Sequence, residues 1–380
     1  MMIIMPSCYS QTCIFFHTYR PYPTMSVLGV EIVVFGILTR LPAKEACKCK
    51  SVCKEWCTML STHGFEKDHC SRSSIACNQK TLLTRGLICS VYQMDFQTGD
   101  YGPPRNIQFP FPPGLNGMSI LAHLDGLLCV TLKPTHELVL WNPTTTAYKL
   151  LSTRDGEGLY DDIRDAVGLY NGHSNDYNIL HVKRSSGVIA AQIYSRRLGS
   201  WRKIPFKTRP EYAKRMVIWS AGTLCRHTLY FTVSESWDAI TNVVIGFHTI
   251  TEQITEIRFP LVPQADIFRG VLANVQNSLH MVLTTLGEDS QQSTGLWSLQ
   301  GDHWSNIFST PPIPPIPFST WVTVTHYMTN GRWFVMSGPR KLYEFPKDGN
   351  PLDCFYTGNW FLGEIGTLFT ETIVSPTYFN

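Results

Sequence analysis

The sequence predicts a small all-α N-terminal unit followed by an all-β propeller of about six blades. Two observations support this fold class: helical patterns between residues 31 and 60, and an aromatic pattern that returns about every 50 residues after residue 80. Only 16% of the residues are charged and 12% are aromatic, against an average of about 25% charged residues in globular proteins. This composition favours a folded, β-rich protein over a disordered one.

The first helical pattern runs from Glu31 to Arg40 and is amphipathic. A second begins at Pro42, which suits the first turn of a helix because its missing N–H leaves no hydrogen bond unmade. One apolar stripe on a single helix is expected to follow; its members are Cys49, Val52, Cys53, Trp56, Cys57 and Leu60. Two short helices bury little surface by themselves, so this unit is expected to dock on a partner.

These residues resemble an F-box, the adaptor-binding module of cullin-type ubiquitin ligases. The resemblance covers residues 31 to about 70, and the positions in register with the plant F-box pattern are Glu31, Ile37, Leu38, Arg40, Leu41, Pro42, Lys44, Val52, Cys53, Lys54 and Trp56. Four positions depart from it with smaller side chains: Gly36, Ala46, Cys47 and Cys49. These departures predict a trimmed apolar face and weaker adaptor binding, and a mid-helix glycine costs about 0.5–1 kcal/mol relative to alanine.

The F-box resemblance implies a substrate receptor of an SCF (Skp–cullin–F-box) E3 ubiquitin ligase. Such a receptor binds a Skp-type adaptor, and through it the cullin and RING subunits, by laying apolar helix faces into a groove. The expected adaptor-binding residues are Ile37, Leu38, Leu41, Pro42, Val52, Cys53 and Trp56. The alternative is a protein outside the ligase, with a weakened F-box and a propeller that binds a protein or glycan. A third interpretation is a propeller enzyme with a vestigial F-box.

After residue 80 the sequence changes to short alternating segments, each of which contains an aromatic anchor. The anchors lie 46 to 53 residues apart, at Tyr92, Trp141, Tyr194, Phe247, Trp297 and Tyr343. A period near 50 is typical of kelch-type blades, small sheets that bury their faces only against neighbouring sheets. A second aromatic follows in several repeats, at Tyr148, Trp201 and Trp304. The turn formers at 142–145 and 198–200 predict hairpins.

A second resemblance, independent of the first, links the same region to the plant F-box-associated domain. The segments that resemble it are Asp125 to Cys129, Leu140 to Thr145, Asn175 to Tyr177, Tyr194-Ser195 with Gly199 to Arg202, and Glu371 to Pro376. Each is weakly specific alone, but their order and spacing cover roughly residues 85 to 376. The predicted organisation is therefore a disordered extension over 1–24, an F-box domain over 25–72 and a propeller domain over 80–376.

No catalytic motif or metal-ligand spacing stands out, so we expect no catalytic residue, no metal and no cofactor. The twelve cysteines include no C-x-x-C pair, the usual unit of structural zinc sites. Cys49, Cys53 and Cys57 are interpreted as small apolar residues of the helical stripe. Histidines on strand-like segments, such as His181, are interpreted as ordinary core or surface residues. Reduced thiols favour the cytoplasm and/or the nucleus.

Charge restricts the expected partners. A net charge of +3 is too small to indicate nucleic acid or an anionic membrane as the main partner, and no apolar run approaches the roughly 20 residues of a membrane span. The target protein is unknown; the candidates for binding it, if it is acidic or phosphorylated, are Arg196, Arg197, Arg202 and Lys203. A solvated hairpin is the alternative for this basic cluster. The acidic residues from Asp155 to Asp165 predict a solvated turn, and Pro311 to Pro317 predict an exposed, stiff loop.

Overall fold

A computed structural model gives the fold of the chain. It describes residues 36–75, 79–85, 88–94, 105–107, 109–110, 118–132, 135–151, 165–172, 176–185, 188–213, 217–234, 243–262, 265–275, 277–287, 292–309, 322–327, 333–337, 341–345, 353–356 and 367–377. The predicted extension over 1–24, most of the first predicted helix and the proline-rich segment 311–317 lie outside the described residues. None of the described helices is long and apolar enough to cross a membrane.

The helical unit begins with a short 3-10 helix, Leu38–Arg40, and continues with α1 (Ala43–Cys49), α2 (Lys54–Leu60) and α3 (His63–Ile75). The prediction of one continuous helix after Pro42 is wrong. The chain breaks at Cys53, whose backbone is extended (φ −159°, ψ 166°) and whose Sγ accepts the Trp56 N–H at 3.4 Å as the cap of α2. Pro42 precedes α1 as its N-cap.

The break also changes the surroundings of the predicted apolar stripe. Leu60 is completely buried, whereas Val52 is 63% exposed, and Cys53 and Cys57 are exposed thiols. The interpretation of these two cysteines as core residues is therefore wrong. Because the stripe is divided between two helices, only part of it faces the interior.

The remaining elements are strands, with a second 3-10 helix at Pro210–Ala213. The first strands are β1 (Gln79–Arg85), β2 (Ile88–Met94), β3 (Arg105–Ile107), β4 (Met118–Leu124), β5 (Leu127–Leu132), β6 (Leu138–Trp141), β7 (Tyr148–Leu150), β8 (Ala166–Asn171), β9 (Tyr177–Ser185), β10 (Val188–Ser195), β11 (Ser200–Ile204), β12 (Ile218–Trp219) and β13 (Thr223–Cys225). They are followed by β14 (Thr228–Ser234), β15 (Val243–His248), β16 (Ile254–Arg258), β17 (Ala265–Val275), β18 (Ser278–Gly287), β19 (Gln292–Gln300), β20 (His303–Ser309), β21 (Val322–Tyr327), β22 (Trp333–Ser337), β23 (Lys341–Phe345), β24 (Asp353–Tyr356) and β25 (Thr367–Thr370).

The described strands form six antiparallel sheets. Sheet 1 has the order β25-β1-β2-β3, sheet 2 contains β4 to β7, sheet 3 β8 to β11, sheet 4 β12 to β16, sheet 5 β17 to β20 and sheet 6 β21 to β24. Within sheet 1, Lys80 of β1 pairs with Phe369 of β25, so the last described strand joins the first. The predicted order of elements, helices first and then an all-β region, is confirmed.

The aromatic anchors occupy equivalent positions in the sheets. Each lies on the strand next to one edge of a different sheet, and these strands are β2, β6, β10, β15, β19 and β23. The predicted turns at 142–145 and 198–200 join β6 to β7 and β10 to β11, where Trp141 pairs with Tyr148 and Tyr194 with Trp201. In sheet 5 Trp304 lies opposite Leu299, and the anchor Trp297 lies opposite Asn306.

Neighbouring sheets bury their faces against each other. Between sheets 3 and 4, the ring of Tyr170 lies with its centroid 6.3 Å from that of Phe247, and Phe206 stacks on Phe247 at 6.2 Å. All three side chains belong to one buried cluster. Because a single four-stranded sheet cannot bury both faces alone, this packing explains why the sequence pattern has to repeat.

Candidate functional site

A buried histidine fixes the corner at which the helical unit turns into α1. His69 on α3 is completely buried, and its Nε2 donates to the carbonyl oxygen of Leu41 at 2.9 Å. A carbonyl can only accept, so the proton lies on Nε2. Burial lowers the pKa of His69, and the bond to Leu41 opposes that shift only in part. The neutral ring therefore attaches the Leu41-Pro42 corner to α3.

The His69 contact predicts a pH dependence of stability. In the unfolded chain His69 is protonated below about pH 6.5, whereas in the folded protein the buried ring is protonated only at a lower pH. The free energy of unfolding therefore falls as the pH decreases below about 6.5. In His69→Gln the amide can still donate to Leu41 but cannot titrate. Urea unfolding at about pH 7.5 and 5.5 is expected to show a smaller acid-induced loss for this variant; equal losses in both proteins would contradict the assignment.

The expected adaptor-binding residues fall into two groups in the helical unit. Four are exposed: Ile37 and Val52, with 50% and 63% of their surface accessible, and Pro42 and Cys53. The other three belong to the internal cluster, where Leu38 is buried and Leu41 and Trp56 are half-buried. The exposed group is available to a partner, and the internal group holds the helices that present it.

The small residues at positions 46 and 47 face inward. Ala46 is completely buried, and Cys47 is half-buried against the same internal cluster. Their size therefore affects the packing inside the unit more directly than the exposed surface. Gly36, another departure from the F-box pattern, is exposed.

A segment from the far end of the described chain completes this internal cluster. We call residues 371–376 the closing segment. Ile373 is 1% exposed and packs with Leu38, Ala46 and Phe65 of the helical unit. The next side chain, Val374, is completely buried in the cluster formed by sheets 2 and 3. The closing segment therefore lies between the helices and the sheets and contributes side chains to both cores.

Sheet 2 holds the closing segment through its turns. The Asn142 Nδ2 donates to the carbonyl oxygens of Thr372 at 3.0 Å and Val374 at 2.7 Å. The Thr372 hydroxyl donates to the carbonyl of Asp125 at 2.6 Å. Gly126 follows in the turn with φ +80°, and a β-carbon there would lie 2.6 Å from the carbonyl oxygen of Thr370. Glycine thus permits both the turn and the close approach.

A buried charge network attaches the same segment to α3 and to sheet 3. Arg196, Glu66 and Asp176 are 1%, 4% and 3% exposed. The Arg196 guanidinium lies 3.4 Å from the Glu66 carboxylate and 3.7 Å from that of Asp176. It also donates to the carbonyl oxygen of Ser375 at 2.7 Å, while the Ser375 N–H donates to Glu66 at 2.9 Å. Both backbone groups of Ser375 are therefore hydrogen-bonded, the N–H to Glu66 and the carbonyl to Arg196.

The electrostatics of this network are set by burial. Burial raises the pKa of Glu66, and the Arg196 charge and the Ser375 N–H oppose the shift. Arg196 also lies over the Tyr177 ring, with 4.9 Å between Cζ and the ring centroid. A buried charge is tolerated when it is paired and hydrogen-bonded in this way.

The basic cluster is divided by the fold. Arg196 is buried in the network and is not accessible to a target in this structure. Arg202 on β11 pairs with both carboxylate oxygens of Glu252 on the turn before β16, and Arg209 lies 2.8 Å from Glu256. These pairs link sheets 3 and 4. Arg197 and Lys203, the other two candidates for target binding, are exposed.

The predicted acidic turn extends into the core at its last residue. Asp165 is buried, and its carboxylate lies 2.7 Å from Nε2 of the completely buried His181, whose Nδ1 lies 3.2 Å from the Gln192 side chain. The solvated interpretation is therefore wrong for Asp165, while residues 155–164 lie outside the described part. His181 is expected to be an ordinary core or surface histidine, and the structure places it in the core with polar partners.

A groove of about 560 Å³ lies between sheets 4 and 5. Its walls include Arg226, His227, Tyr230, His248 and Asn277. The Arg226 Nε donates to the Asn277 carbonyl at 3.0 Å, which links the two sheets across the groove. Among the described lining residues there is a cation and no carboxylate, so the groove suits a neutral or acidic group.

Comparison with known families agrees with this arrangement. Residues 89–342 match the model of the F-box associated beta propeller domain. The chain belongs to this family. Residues 33–68 match the F-box domain, so the helical unit is the F-box and the six-sheet region is the propeller.

Curated relatives come from Arabidopsis thaliana. F-box/kelch-repeat protein At3g23880 is 23% identical over 76% of this chain and 80% of its own length. F-box/kelch-repeat protein At3g17530 is 26% identical over 51% of this chain and 52% of its own length. The chain therefore spans between about half and four fifths of these relatives. Among solved structures, TolB from Acinetobacter baumannii aligns over 81% of this chain and 72% of its own, with 10% identity and a TM-score of 0.43.

The segments that resemble the F-box-associated domain meet at one place. Asp125, Asn142 and Asp176 come from three different segments, and Arg196 follows directly after a fourth, Tyr194-Ser195. Each of these residues contacts the closing segment or its partners. Together with Glu66, these four residues attach the F-box to the propeller. Sequence reasoning found the motifs but assigned them no role. The feature that could have indicated one is that polar residues recur in turn positions, in the same order along the chain.

Proposed function

We propose that the protein is the substrate-recognition subunit of an SCF E3 ubiquitin ligase. The F-box would bind a Skp-type adaptor, and through it the cullin and RING subunits, while the propeller would hold a target protein for ubiquitination and degradation. The observation that supports this most directly is the F-box match over 33–68 combined with exposed apolar side chains at Ile37 and Val52. Exposed apolar residues on a small helical unit favour a protein partner.

The propeller would contribute by positioning the target protein near the ubiquitin-charged enzyme. We take each of the six sheets as one blade. A target bound to this body would present its lysines to the ubiquitin-charged enzyme, so the contribution is proximity and the chain supplies no reacting group. Seven cysteines whose side chains the structure describes are free thiols, which supports a location in the cytoplasm and/or nucleus.

Val52 offers the sharpest test of adaptor binding because its replacement should not disturb the fold. Val52→Asp is expected to weaken binding of a plant Skp-type adaptor by at least about tenfold, since a charge would be buried at the interface. Leu41 and Trp56 are less suitable, because they also support the internal cluster. Affinity is measured by biolayer interferometry on the full chain, with circular dichroism to verify folding.

The propeller provides a matched control. Val188, the first residue of β10, is also 63% exposed, so Val188→Asp makes the same chemical change at the same exposure and is expected to leave adaptor binding unchanged. If both variants bind the adaptor with equal affinity, Val52 does not belong to the interface. If the folded wild-type chain does not bind the adaptor at all, the ligase proposal fails and a protein- or glycan-binding propeller with a weakened F-box leads.

A further inference from the structure

We infer that residues outside the F-box position its adaptor-binding surface: Ile373 of the closing segment, supported by Arg196 of the propeller. The F-box would then reach its binding conformation only when β25 has joined β1. This inference rests on the proposed function, because it concerns how the adaptor-binding surface is held.

The F-box core includes a side chain from outside the F-box. Among the described residues its buried members are Leu38, Ala43, Ala46, Leu60, Phe65 and Ile373. Five of them lie between residues 38 and 65, and the sixth follows more than 300 residues later. Ile373 is a large side chain in the same cluster as the completely buried Ala46. Without it, the F-box helices would enclose a void in the cluster against which the half-buried Leu41 and Trp56 pack, and voids of this kind loosen packing.

Chain connectivity ties the position of Ile373 to the pairing of β25 with β1. The closing segment starts directly after β25, and Ile373 lies three residues beyond Thr370. Three residues span at most about 10 Å, so Ile373 reaches the F-box core only if β25 lies beside β1. Pairing of Thr81 with Leu368 and of Lys80 with Phe369 sets that position. The same short stretch of chain therefore joins the ends of the propeller and completes the F-box.

The closing segment is oriented by hydrogen bonds to both domains. The Ser375 N–H donates to Glu66 of the F-box, and the Ser375 carbonyl accepts from Arg196 of the propeller. Lys44 on α1 also lies 4.0 Å from Glu371. Because both sides of one backbone position are bound by different domains, a shift of the segment would break contacts with each. Ile373 and Arg196 are thus positioning residues that act through Leu41, Trp56 and Glu66.

The experiment compares Ile373→Ala with Leu261→Ala in the full chain. Both remove an aliphatic side chain, but Leu261 is 91% exposed. Adaptor affinity and amide hydrogen exchange are measured together, since exchange reports local opening of each element. Ile373→Ala is expected to weaken adaptor binding by at least tenfold and to accelerate exchange in α1 to α3 by at least tenfold. Exchange in β9 and β10 should change by less than twofold, and Leu261→Ala should alter neither readout.

Two results would overturn the inference. One is unchanged exchange of α1 to α3 in Ile373→Ala; the other is equal acceleration in the helices and in β9 and β10, which would indicate a general loss of stability. If the alanine variant does not fold, Ile373→Val gives the graded version of the same comparison and the same criteria apply. If wild type fails to bind the adaptor, the proposed function fails, whereas the exchange data still decide whether Ile373 holds the F-box.

Discussion

Replacing Arg196 with alanine is expected to lower the free energy of unfolding by about 3–5 kcal/mol, the usual cost of breaking a buried ion pair. The side chain is 1% exposed, and its removal leaves the Glu66 and Asp176 carboxylates buried without their cation. It also leaves the Ser375 carbonyl without its donor. Urea unfolding of the full chain measures the loss.

Arg197 provides the control for this prediction. It is the next residue in the turn and is exposed, so Arg197→Ala is expected to change the free energy of unfolding by no more than about 0.5 kcal/mol. The Arg196 loss should also be smaller at about pH 5.5 than at pH 7.5. Burial already raises the pKa of Glu66, and without the guanidinium a proton can neutralise it. A loss below about 1 kcal/mol at both pH values would show that the network is not a main attachment of the F-box.

A double variant separates the charge from the packing. Glu66→Gln combined with Arg196→Met removes one buried carboxylate along with its cation and keeps the approximate volume. It is expected to recover part of the stability lost in Arg196→Ala, because paired buried charges can be replaced by neutral side chains at low cost. A double variant less stable than Arg196→Ala would contradict this account.

The second large effect is expected at Gly126. Its φ of +80° is a conformation that other residues adopt only with strain, and a β-carbon would meet the Thr372 hydroxyl and the Thr370 carbonyl. Gly126→Ala is expected to lower the free energy of unfolding by about 2–4 kcal/mol, from backbone strain and overpacking together. The same denaturation experiment measures it.

A substitution at Gly301 distinguishes backbone strain from overpacking. Gly301 has a similar φ of +62°, but no atom of the described residues lies within 4 Å of the position of its β-carbon. Gly301→Ala therefore carries only the conformational cost of about 1 kcal/mol. If Gly126→Ala and Gly301→Ala lose the same stability, the close approach of the closing segment to the β4–β5 turn contributes nothing.

These contacts bear on how the protein would function. A receptor has to hold its target at a fixed distance and orientation from the adaptor. A flexible joint between F-box and propeller would make this distance and orientation variable. Here α3 and the closing segment pack directly on sheets 2 and 3, with Cys70 of α3 in the same cluster as Val374. The F-box therefore sits on the propeller through a buried, partly charged interface.

Three kinds of feature could be predicted from the sequence, two of them local and one a regular repeat. The turns at 142–145 and 198–200 depend on a few adjacent residues whose backbone preferences are independent of the rest of the chain. The aromatic anchors recur because every sheet needs the same buried face, so their spacing of 46 to 53 residues survives in the sequence. The Leu41-Pro42 corner is also local, and the F-box match covers it.

The helical stripe shows where local patterns failed. Periodicity predicted one helix through Cys53, but the chain breaks there and exposes Val52, Cys53 and Cys57. A period of 3.6 residues does not reveal a cap, because the cap depends on one backbone conformation and one side-chain bond.

The sequence by itself determined the order of domains, the repeated sheets and the F-box, since each leaves a pattern in neighbouring or evenly spaced residues. Only the tertiary structure decided the roles of Arg196, Ile373 and Asn142. Arg196 pairs with Glu66 across 130 positions, and Asn142 binds Val374 across 232. Whether a cation meets a target or a buried carboxylate depends on which distant parts of the chain the fold brings together, and no local pattern records that choice.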